Sequence, residues 1–439
     1  MLSADLLIHN IGQLVTCASP EGPKRRDSMR DVGIVENRAI AVIDGKFAAV
    51  GTEEAVLAEY SSKHHLNAEG KAVVPGFVDP HTHIVYAGDR LNEFELKIKG
   101  AAYLEILAAG GGIISTVKKT RAASEDQLVD LGRERLDKML ACGTTTAEIK
   151  TGYGLDLESE LKMLRVIERL DREHAIDIVP TFLAAHTIPP EFKGDADGYV
   201  DLVCREMLPA AWQWYSGSCF AAKGKPFFCD VFTEQNAFDR GQTEKILDTA
   251  RSLGFGLKAH VDQFTNLGGS RLAIEKGAAS IDHLDAISDE EIELLAASDT
   301  VGVVIPTENF SGGKTQFADA RKMIDAGCAI AISTDYNPGS APCPSQPMAM
   351  AIACRYQKLL PSEALNAATI NAAYAVGLGS THGSIEVGKR ADLLICDSQD
   401  YRQLAYEFGG NTVTMVIKAG KVVSGDTLGT KRESNKLGL

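Results

Sequence analysis

The 439-residue sequence lacks the features that define several classes of protein. Its nine cysteines are scattered without a Cys-x-x-Cys pair, which excludes a disulfide framework and indicates a reducing compartment. No apolar run reaches the ~18–20 residues that a membrane span needs. Basic residues are in the minority, 45 against 59 acidic ones, and the net charge of −14 argues against nucleic acid or an anionic membrane as a partner.

The first residues bear on cellular location. Asp5 follows closely on Met1 and leads into a strand-like run, which differs from the basic and then apolar pattern of a signal peptide. We therefore expect a cytoplasmic protein. A small acidic substrate remains compatible with the net charge, because a local cationic pocket can form on an acidic protein.

Length and patterning predict two domains. The chain of 439 residues exceeds the ~250–300 at which a single core usually stops growing. Residues 1–72 and 383–430 are rich in strand-like runs, and we expect the two chain ends to form one small β-sandwich domain. Residues 73–382 are expected to form the larger domain, and residues 431–439 a mobile tail.

The larger domain alternates strands and helices. Strand-like runs lie at 73–78, 144–149, 176–183, 227–232, 256–260, 278–283, 301–305 and 329–333. Helical stretches lie between most of them, at 125–141, 157–174, 243–254, 269–276, 289–297 and 317–326. This alternation predicts an α/β fold of the (β/α)8 TIM-barrel type, whose active site lies at the carboxyl ends of the strands. A doubly wound sheet would not easily bring residues from the first, fifth, sixth and eighth strands together.

Histidines recur at the ends of these predicted strands. His81 and His83 are two apart, so their side chains point the same way in extended chain. His260 and His283 end the fifth and sixth runs, and Asp335 follows the eighth. Each histidine alone is equally well explained by a local hydrogen bond. Together they predict one metal ion, Zn or Fe, held by His81, His83, His260 and Asp335.

Such a site predicts hydrolytic chemistry. A bound metal lowers the pKa of water from ~15.7 toward ~7 and so supplies hydroxide at neutral pH. Asp335 is placed to take the proton of that water as well as to bind the ion. His283 is either a fifth ligand or, as we favour, a catalytic group that stabilises the oxyanion forming on a carbonyl.

Several longer motifs point to a known family. They lie at 75–83, 87–90, 109–113, 150–155, 185–187, 260–263, 282–284 and 334–339. With these motifs the chain resembles the amidohydrolase superfamily and, within it, the imidazolonepropionase family, over nearly its whole length. The resemblance implies hydrolysis of the ring of 4-imidazolone-5-propanoate to N-formimino-L-glutamate in histidine degradation. Related hydrolases that bind two metals use a carboxylated lysine after the fourth strand, and 227–232 has no lysine, which favours one ion.

The implied substrate is a small molecule that combines a cyclic amide with a carboxylate. Whether the protein forms a homodimer is left open by the sequence. Arg90 would hold the carboxylate with its planar fork, and the alternative for that arginine is a surface salt bridge with Asp89 or Glu93. Position 263 is Gln where some members of the family have Glu, and Gln cannot move a proton. The substrate-binding candidates are Arg90, Tyr103, Tyr153, His186, Gln263 and Asn337.

Two other functions fit parts of the pattern. A related amidohydrolase that deaminates or hydrolyses another heterocycle would share the metal and His283 but would not need Arg90. A non-catalytic scaffold barrel would be expected to have lost metal ligands, which are all present here. Two segments depart from expectation: 306–313 could reshape the pocket, and 212–225, with both tryptophans, has the composition of an inserted loop.

Overall fold

The computed structural model describes residues 1–100 and 111–425. The candidate Tyr103 and the predicted tail 431–439 lie outside the described residues. Within those limits the strands are β1 Leu2–Ser3, β2 Leu6–Val15, β3 Ile34–Ile43, β4 Lys46–Thr52, β5 Tyr60–Ser61, β6 His65–Asn67, β7 Ala72–Pro75, β8 Phe77–Asp79, β9 Thr144–Lys150, β10 Asp177–Ala185, β11 Phe228–Thr233, β12 Gly256–Val261, β13 Ser280–His283, β14 Val301–Val304, β15 Ile330–Ile332, β16 Leu393–Cys396, β17 Val413–Lys418 and β18 Lys421–Ser424.

Helices follow most of the central strands. Across the same two described ranges the α-helices are α1 Glu53–Glu59, α2 Leu91–Ile98, α3 Ile113–Ala122, α4 Glu125–Ala141, α5 Leu157–Glu173, α6 Ala196–Leu202, α7 Leu208–Ser216, α8 Cys219–Ala222, α9 Arg240–Leu253, α10 Gly269–Glu275, α11 Asp289–Ala296, α12 Pro306–Ser311, α13 Ala320–Ala326, α14 Gln346–Tyr356, α15 Pro361–Ala367, α16 Ile370–Ala375 and α17 Gln403–Tyr406. Among these described helices, none is both long and apolar enough for a membrane crossing.

Strands β8 to β15 form the predicted barrel. They are hydrogen-bonded in chain order, and every neighbouring pair is parallel. Short apolar strands such as β14 are buried throughout, as expected for a parallel sheet covered by helices. The Gln346 amide donates to the carbonyl oxygens of Val78 and Ile332, at 3.1 and 3.3 Å, and so connects the first strand to the last. The (β/α)8 prediction is confirmed.

A second sheet joins the two ends of the chain, as predicted for the small β domain. Its order is β18-β17-β16-β7-β2-β3-β4, with β6 also paired to β2. Its core contains residues of both ends, including Ile8, Ile40 and Ile395. The predicted limits of the domains stay predictions, because the sheets define strand membership and not the boundaries of independent folding units.

The predicted first barrel strand, 73–78, is wrong as a single strand. It divides at Gly76: β7 pairs antiparallel with β16 in the terminal sheet, whereas β8 pairs with β9 in the barrel. Gly76 lies close against the neighbouring strand β9, since a Cβ at Gly76 would overlap the side chain of Thr145. The chain passes from the terminal sheet to the barrel at Gly76, the glycine of the run 73–78.

Two other segments also differ from a loop interpretation. Residues 212–225 include the end of α7 and all of α8, and Trp212 packs with its ring centroid 5.0 Å from that of Phe255. Residues 306–311 form α12, with Pro306 in its first turn, where the missing N–H of proline costs no hydrogen bond. Helix α4 begins as its sequence predicts, with Ser124 and Gln127 in a capping box.

Candidate metal centre and active site

The carboxyl ends of β8, β12 and β15 bring four predicted ligands together. His83 Nε2 lies 3.2 Å from His81 Nε2 and 3.4 Å from His260 Nε2. Asp335 Oδ1 completes the group, 3.5 Å from His83 Nε2 and 3.7 Å from His81 Nε2. All four side chains are at most 5% exposed. Three imidazole nitrogens and one carboxylate oxygen therefore face a common point.

Two buried carboxylates contact two of the three histidines of this cluster. His81 Nδ1 lies 2.6 Å from Asp282 Oδ2, and His260 Nδ1 lies 2.9 Å from Asp230 Oδ2. A proton on each Nδ1, facing its carboxylate, leaves the Nε2 lone pairs directed at each other. Lone pairs and a carboxylate that face one another repel unless a cation lies between them. The donor set therefore fits a divalent metal ion, with the three-nitrogen, one-oxygen chemistry that Zn²⁺ and iron accept.

A charged network lies beneath these carboxylates, inside the barrel. Lys150 Nζ lies 2.7 Å from Asp230, 2.9 Å from Glu148 and 3.5 Å from Asp282. Lys258 Nζ lies 2.8 Å from the other oxygen of Glu148. All five side chains are fully buried, so each charge depends on its partners and not on water. The network fixes the carboxylates that orient the histidines.

The pKa values of the cluster suit metal binding. Burial lowers the pKa of His81, His83 and His283 well below the usual range, with further lowering from neighbouring charges. Neutral imidazole is the form that coordinates metals. Burial also raises the pKa of Asp335 well above its usual value in the absence of a cation. A bound cation reverses that effect, because it favours the ionised carboxylate.

Two site residues have unusual backbone conformations. His283 has a φ of +87° and Asp335 a φ of +49°, in the backbone region that residues other than glycine rarely adopt. Such conformations are maintained at functional sites by the surrounding structure. His283 stands beside the cluster, with its ring centroid 5.4 Å from those of His81 and His260. It lies close enough for either of its predicted roles.

The predicted substrate residues line one cavity with this cluster. The cavity walls include five of the six candidates, namely Arg90, Tyr153, His186, Gln263 and Asn337. His186 stacks on His83, with centroids 5.0 Å apart, and its Nδ1 lies 3.0 Å from the carbonyl oxygen of Gly152. Burial lowers the pKa of His186 to about 3. The sixth candidate, Tyr103, is outside the described residues.

Sequence reasoning missed part of this arrangement. Ile113, Phe232 and Ser340 also line the cavity, and Asp230 and Lys150 support it from below. A signal for the support was present, because Glu148-x-Lys150 places two charged residues on one face of a predicted strand in the interior of the fold. Buried charges need partners, so that pattern predicts an internal ion-pair network.

The barrel and its three-histidine, one-carboxylate cluster define a class, that of metal-dependent hydrolases built on a TIM-type barrel. The amidohydrolase family profile matches residues 72–423. A protein of Chloroflexus aggregans named imidazolonepropionase is 53% identical, covering 96% of this chain and 99% of its own. One of Herpetosiphon aurantiacus with the same name is 49% identical, covering 98% and 100%. The chain belongs to the amidohydrolase family and, within it, to the imidazolonepropionase family.

Solved structures of more distant proteins share the fold. An adenosine deaminase from Xanthomonas campestris with bound zinc superposes with a TM-score of 0.70 at 20% identity, covering 96% of this chain and 93% of its own. A zinc-containing atrazine chlorohydrolase variant from Arthrobacter aurescens has a TM-score of 0.71 at 16% identity, covering 96% and 95%. At such identities the likeness shows the fold alone.

Proposed function

We propose that this enzyme opens the ring of 4-imidazolone-5-propanoate by hydrolysis and releases N-formimino-L-glutamate, in the degradation of histidine. The observation that carries the proposal is the presence of Arg90 in the same cavity as the histidine and aspartate cluster. A cyclic amide needs the hydrolytic cluster, and the propionate tail needs a cation at the other end of the cavity. The name of the relatives in Chloroflexus and Herpetosiphon supports the same reaction.

We assign one metal ion, Zn or Fe, to His81, His83, His260 and Asp335. When bound, the ion would act as a Lewis acid and make water nucleophilic at neutral pH. Asp282 and Asp230 orient His81 and His260 through Nδ1, and Lys150, 2.7 Å from Asp230 and 3.5 Å from Asp282, stabilises the negative charge of both carboxylates. The choice between Zn and Fe is left to elemental analysis, because imidazole and carboxylate accept both metals.

In the proposed reaction, two residues manage the proton and the developing charge. Asp335 accepts a proton from the attacking water at its carboxylate and returns it to the ring nitrogen that leaves. The oxygen of water bonds to the ring carbonyl carbon and forms an oxyanion on the carbonyl oxygen; when the carbonyl re-forms, the bond from that carbon to the ring nitrogen breaks and the nitrogen takes the proton from Asp335. His283, neutral because it is buried, donates its N–H to the oxyanion that forms on the carbonyl oxygen.

The other cavity residues bind and orient the substrate. Arg90 is assigned to the propionate, and Tyr153, His186, Gln263 and Asn337 to the ring and its polar atoms. Gln263 serves only as a hydrogen-bonding group, which leaves proton transfer to Asp335. Tyr103 keeps its predicted role as a substrate contact. The cytoplasmic location, the homodimer and the absence of nucleic acid or membrane partners stay predictions.

The test is a direct assay. Purified protein is loaded separately with Zn²⁺ and Fe²⁺, and the loss of ring absorbance of imidazolone propionate is followed together with the appearance of N-formimino-glutamate. We expect turnover with at least one metal, and its loss on treatment with a chelator. Release of ammonia from a heterocyclic amine without opening of the imidazolone would replace this function with that of a deaminase.

A further inference from the structure

Arg90 is already engaged by a neighbouring carboxylate. Its Nε lies 2.7 Å from Glu93 Oε2, and its Nη2 is hydrogen-bonded to Glu93 Oε1. Arg90 is the residue that precedes α2, and Glu93 lies in the first turn of that helix. One flat edge of the guanidinium is therefore paired with Glu93 before any substrate binds.

The guanidinium keeps a second edge for a ligand. It has five N–H groups, and among residues 1–100 and 111–425 Glu93 takes one from Nε and one from Nη2, which leaves three on the Nη1 and Nη2 side. The position of Nη1 is also restricted by Gly339, because a Cβ added to Gly339 would overlap Nη1. A carboxylate in the cavity would meet the Nη1 and Nη2 edge and not the Nε edge.

Glu93 differs from an ordinary surface partner. Its side chain is only 5% exposed, and it also accepts the backbone N–H of Gly112 at 2.8 Å and lies 3.1 Å from Lys97 Nζ. Burial alone would raise the pKa of Glu93. The hydrogen bonds from Arg90 and Gly112 and the charge of Arg90 outweigh this effect and lower the pKa to about 2. By contrast, the Glu95–Lys99 pair on the same helix is 66% exposed at both ends.

These contacts join three parts of the cavity wall. Glu93 connects the first turn of α2 to Gly112, the residue that precedes α3. Lys97 extends the link to the carbonyl oxygen of Gly339, at 3.4 Å, in the segment that carries Asn337 and Ser340. Arg90 thus stands in a frame with contacts on both sides, and its planar group has little freedom to turn.

We propose that Glu93 is a positioning residue that presents the Nη1 and Nη2 edge of Arg90 to the carboxylate of the substrate, and so makes the enzyme selective for a substrate with an acidic tail. The inference rests on the proposed function, since it needs an acidic substrate of this site. The inference goes beyond the proposed function because it assigns selectivity to a residue that does not itself contact the substrate. The competing effect is neutralisation of Arg90 by Glu93, which would weaken the binding of anions, and the experiment below distinguishes the two.

The experiment compares Glu93→Gln with wild type on two substrates that share the ring, imidazolone propionate and its propionamide analogue. Gln keeps the shape of Glu and an oxygen for Gly112, but it loses the charge and one acceptor for the guanidinium. We expect KM for the acid to rise about 10- to 100-fold, as for a misplaced orienting group, with kcat changed less than about threefold. KM for the amide should stay unchanged. The matched control is Glu95→Gln, which we expect to behave as wild type.

A double variant separates positioning from folding. If Glu93 acts through Arg90, the double variant Glu93→Gln/Arg90→Ala has the same KM for the acid as Arg90→Ala alone. Equal losses on the acid and the amide would show a general structural defect and overturn the inference. An unchanged or lower KM for the acid in Glu93→Gln would overturn it too, in favour of simple neutralisation. If wild type turns over neither substrate, the proposed function falls, and this inference falls with it.

Discussion

His81 Nδ1 lies 2.6 Å from Asp282 Oδ2, and both side chains are fully buried. The contact joins the segment after the first barrel strand to the sixth strand, between residues 201 positions apart. Asp282 also accepts a hydrogen bond from Ser280 Oγ at 2.6 Å, and Lys150 Nζ lies 3.5 Å from its Oδ2. The carboxylate therefore has a fixed position from which it sets the orientation of a predicted metal ligand.

The first prediction concerns this carboxylate. Asp282→Asn keeps the shape but removes the charge that holds the His81 proton on Nδ1. We expect metal affinity to fall about 10- to 100-fold, the usual effect of losing such an outer partner. The measurement is competition for Zn²⁺ against a chromophoric chelator. Asp289→Asn, on the exposed end of α11, is the control, and equal affinities of the two variants would contradict the orienting role.

The second prediction concerns Lys150. Burial lowers its pKa, but Asp230, Glu148 and Asp282 raise it by more, so the ammonium stays charged inside the barrel. Lys150→Met removes the cation and leaves Asp230 and Asp282 without their lysine partner, which should cost about 3–5 kcal/mol of stability. The readout is the urea midpoint of the metal-free protein.

A matched control is Lys322→Met, since Lys322 forms an exposed ion pair with Asp289. We expect this variant to unfold at nearly the wild-type urea concentration, because exposed pairs contribute little. If Lys150→Met unfolded no earlier than Lys322→Met, the buried network would not be the support that its geometry indicates.

The convergence of the candidate ligands could be predicted from local patterns. His81 and His83 show a period of two, and His260 and Asp335 follow apolar runs whose carboxyl ends meet in a barrel. The structure brings these residues together, and their roles as ligands stay predictions. The barrel itself was predictable because strands and helices alternate with clear caps, as at Ser124.

Other features could not be read from one chain segment. Pro75-Gly76 marks a local interruption of the run 73–78, but the strand that each half joins, β16 or β9, depends on residues far along the chain. The pairing of Lys150 with Asp230 depends on which strands lie opposite across the barrel interior. Helix α7 gave little local signal because Trp212 packs against Phe255, a residue far along the chain that comes just before β12. Long-range packing decided each of these features.

The third prediction concerns Asp285, whose pKa is raised to about 7 by burial and by the nearby charge of Glu308. A carboxyl with a raised pKa stays protonated in the folded state up to that pH, whereas in the unfolded chain it ionises near 3.8. It therefore contributes stability below pH ~4 that is lost as the pH rises to ~7, on the order of 2–4 kcal/mol.

Asp285→Asn removes this titration and keeps an oxygen for the hydrogen bonds from Asn309 and Ala318. The free energy of unfolding of wild type minus that of the variant should decrease steadily between pH 4 and pH 7 and then level off. Urea unfolding of both proteins at four or five pH values gives this difference. A difference that is constant with pH would show that Asp285 ionises normally in the folded protein.

The last prediction separates the two roles open to His283. Asn replaces it best, because Asn tolerates the positive φ of +87° at this position better than most residues. If His283 donates to the oxyanion, His283→Asn lowers kcat about 10²–10³-fold and leaves the bound metal unchanged. If it is a fifth ligand, the affinity for metal falls together with kcat. Metal content after dialysis, measured beside kcat, distinguishes the two, and His65→Asn in the terminal sheet controls for the loss of any histidine. We expect full metal content with reduced kcat, because four candidate ligands already face the common point and the His283 ring stands beside it.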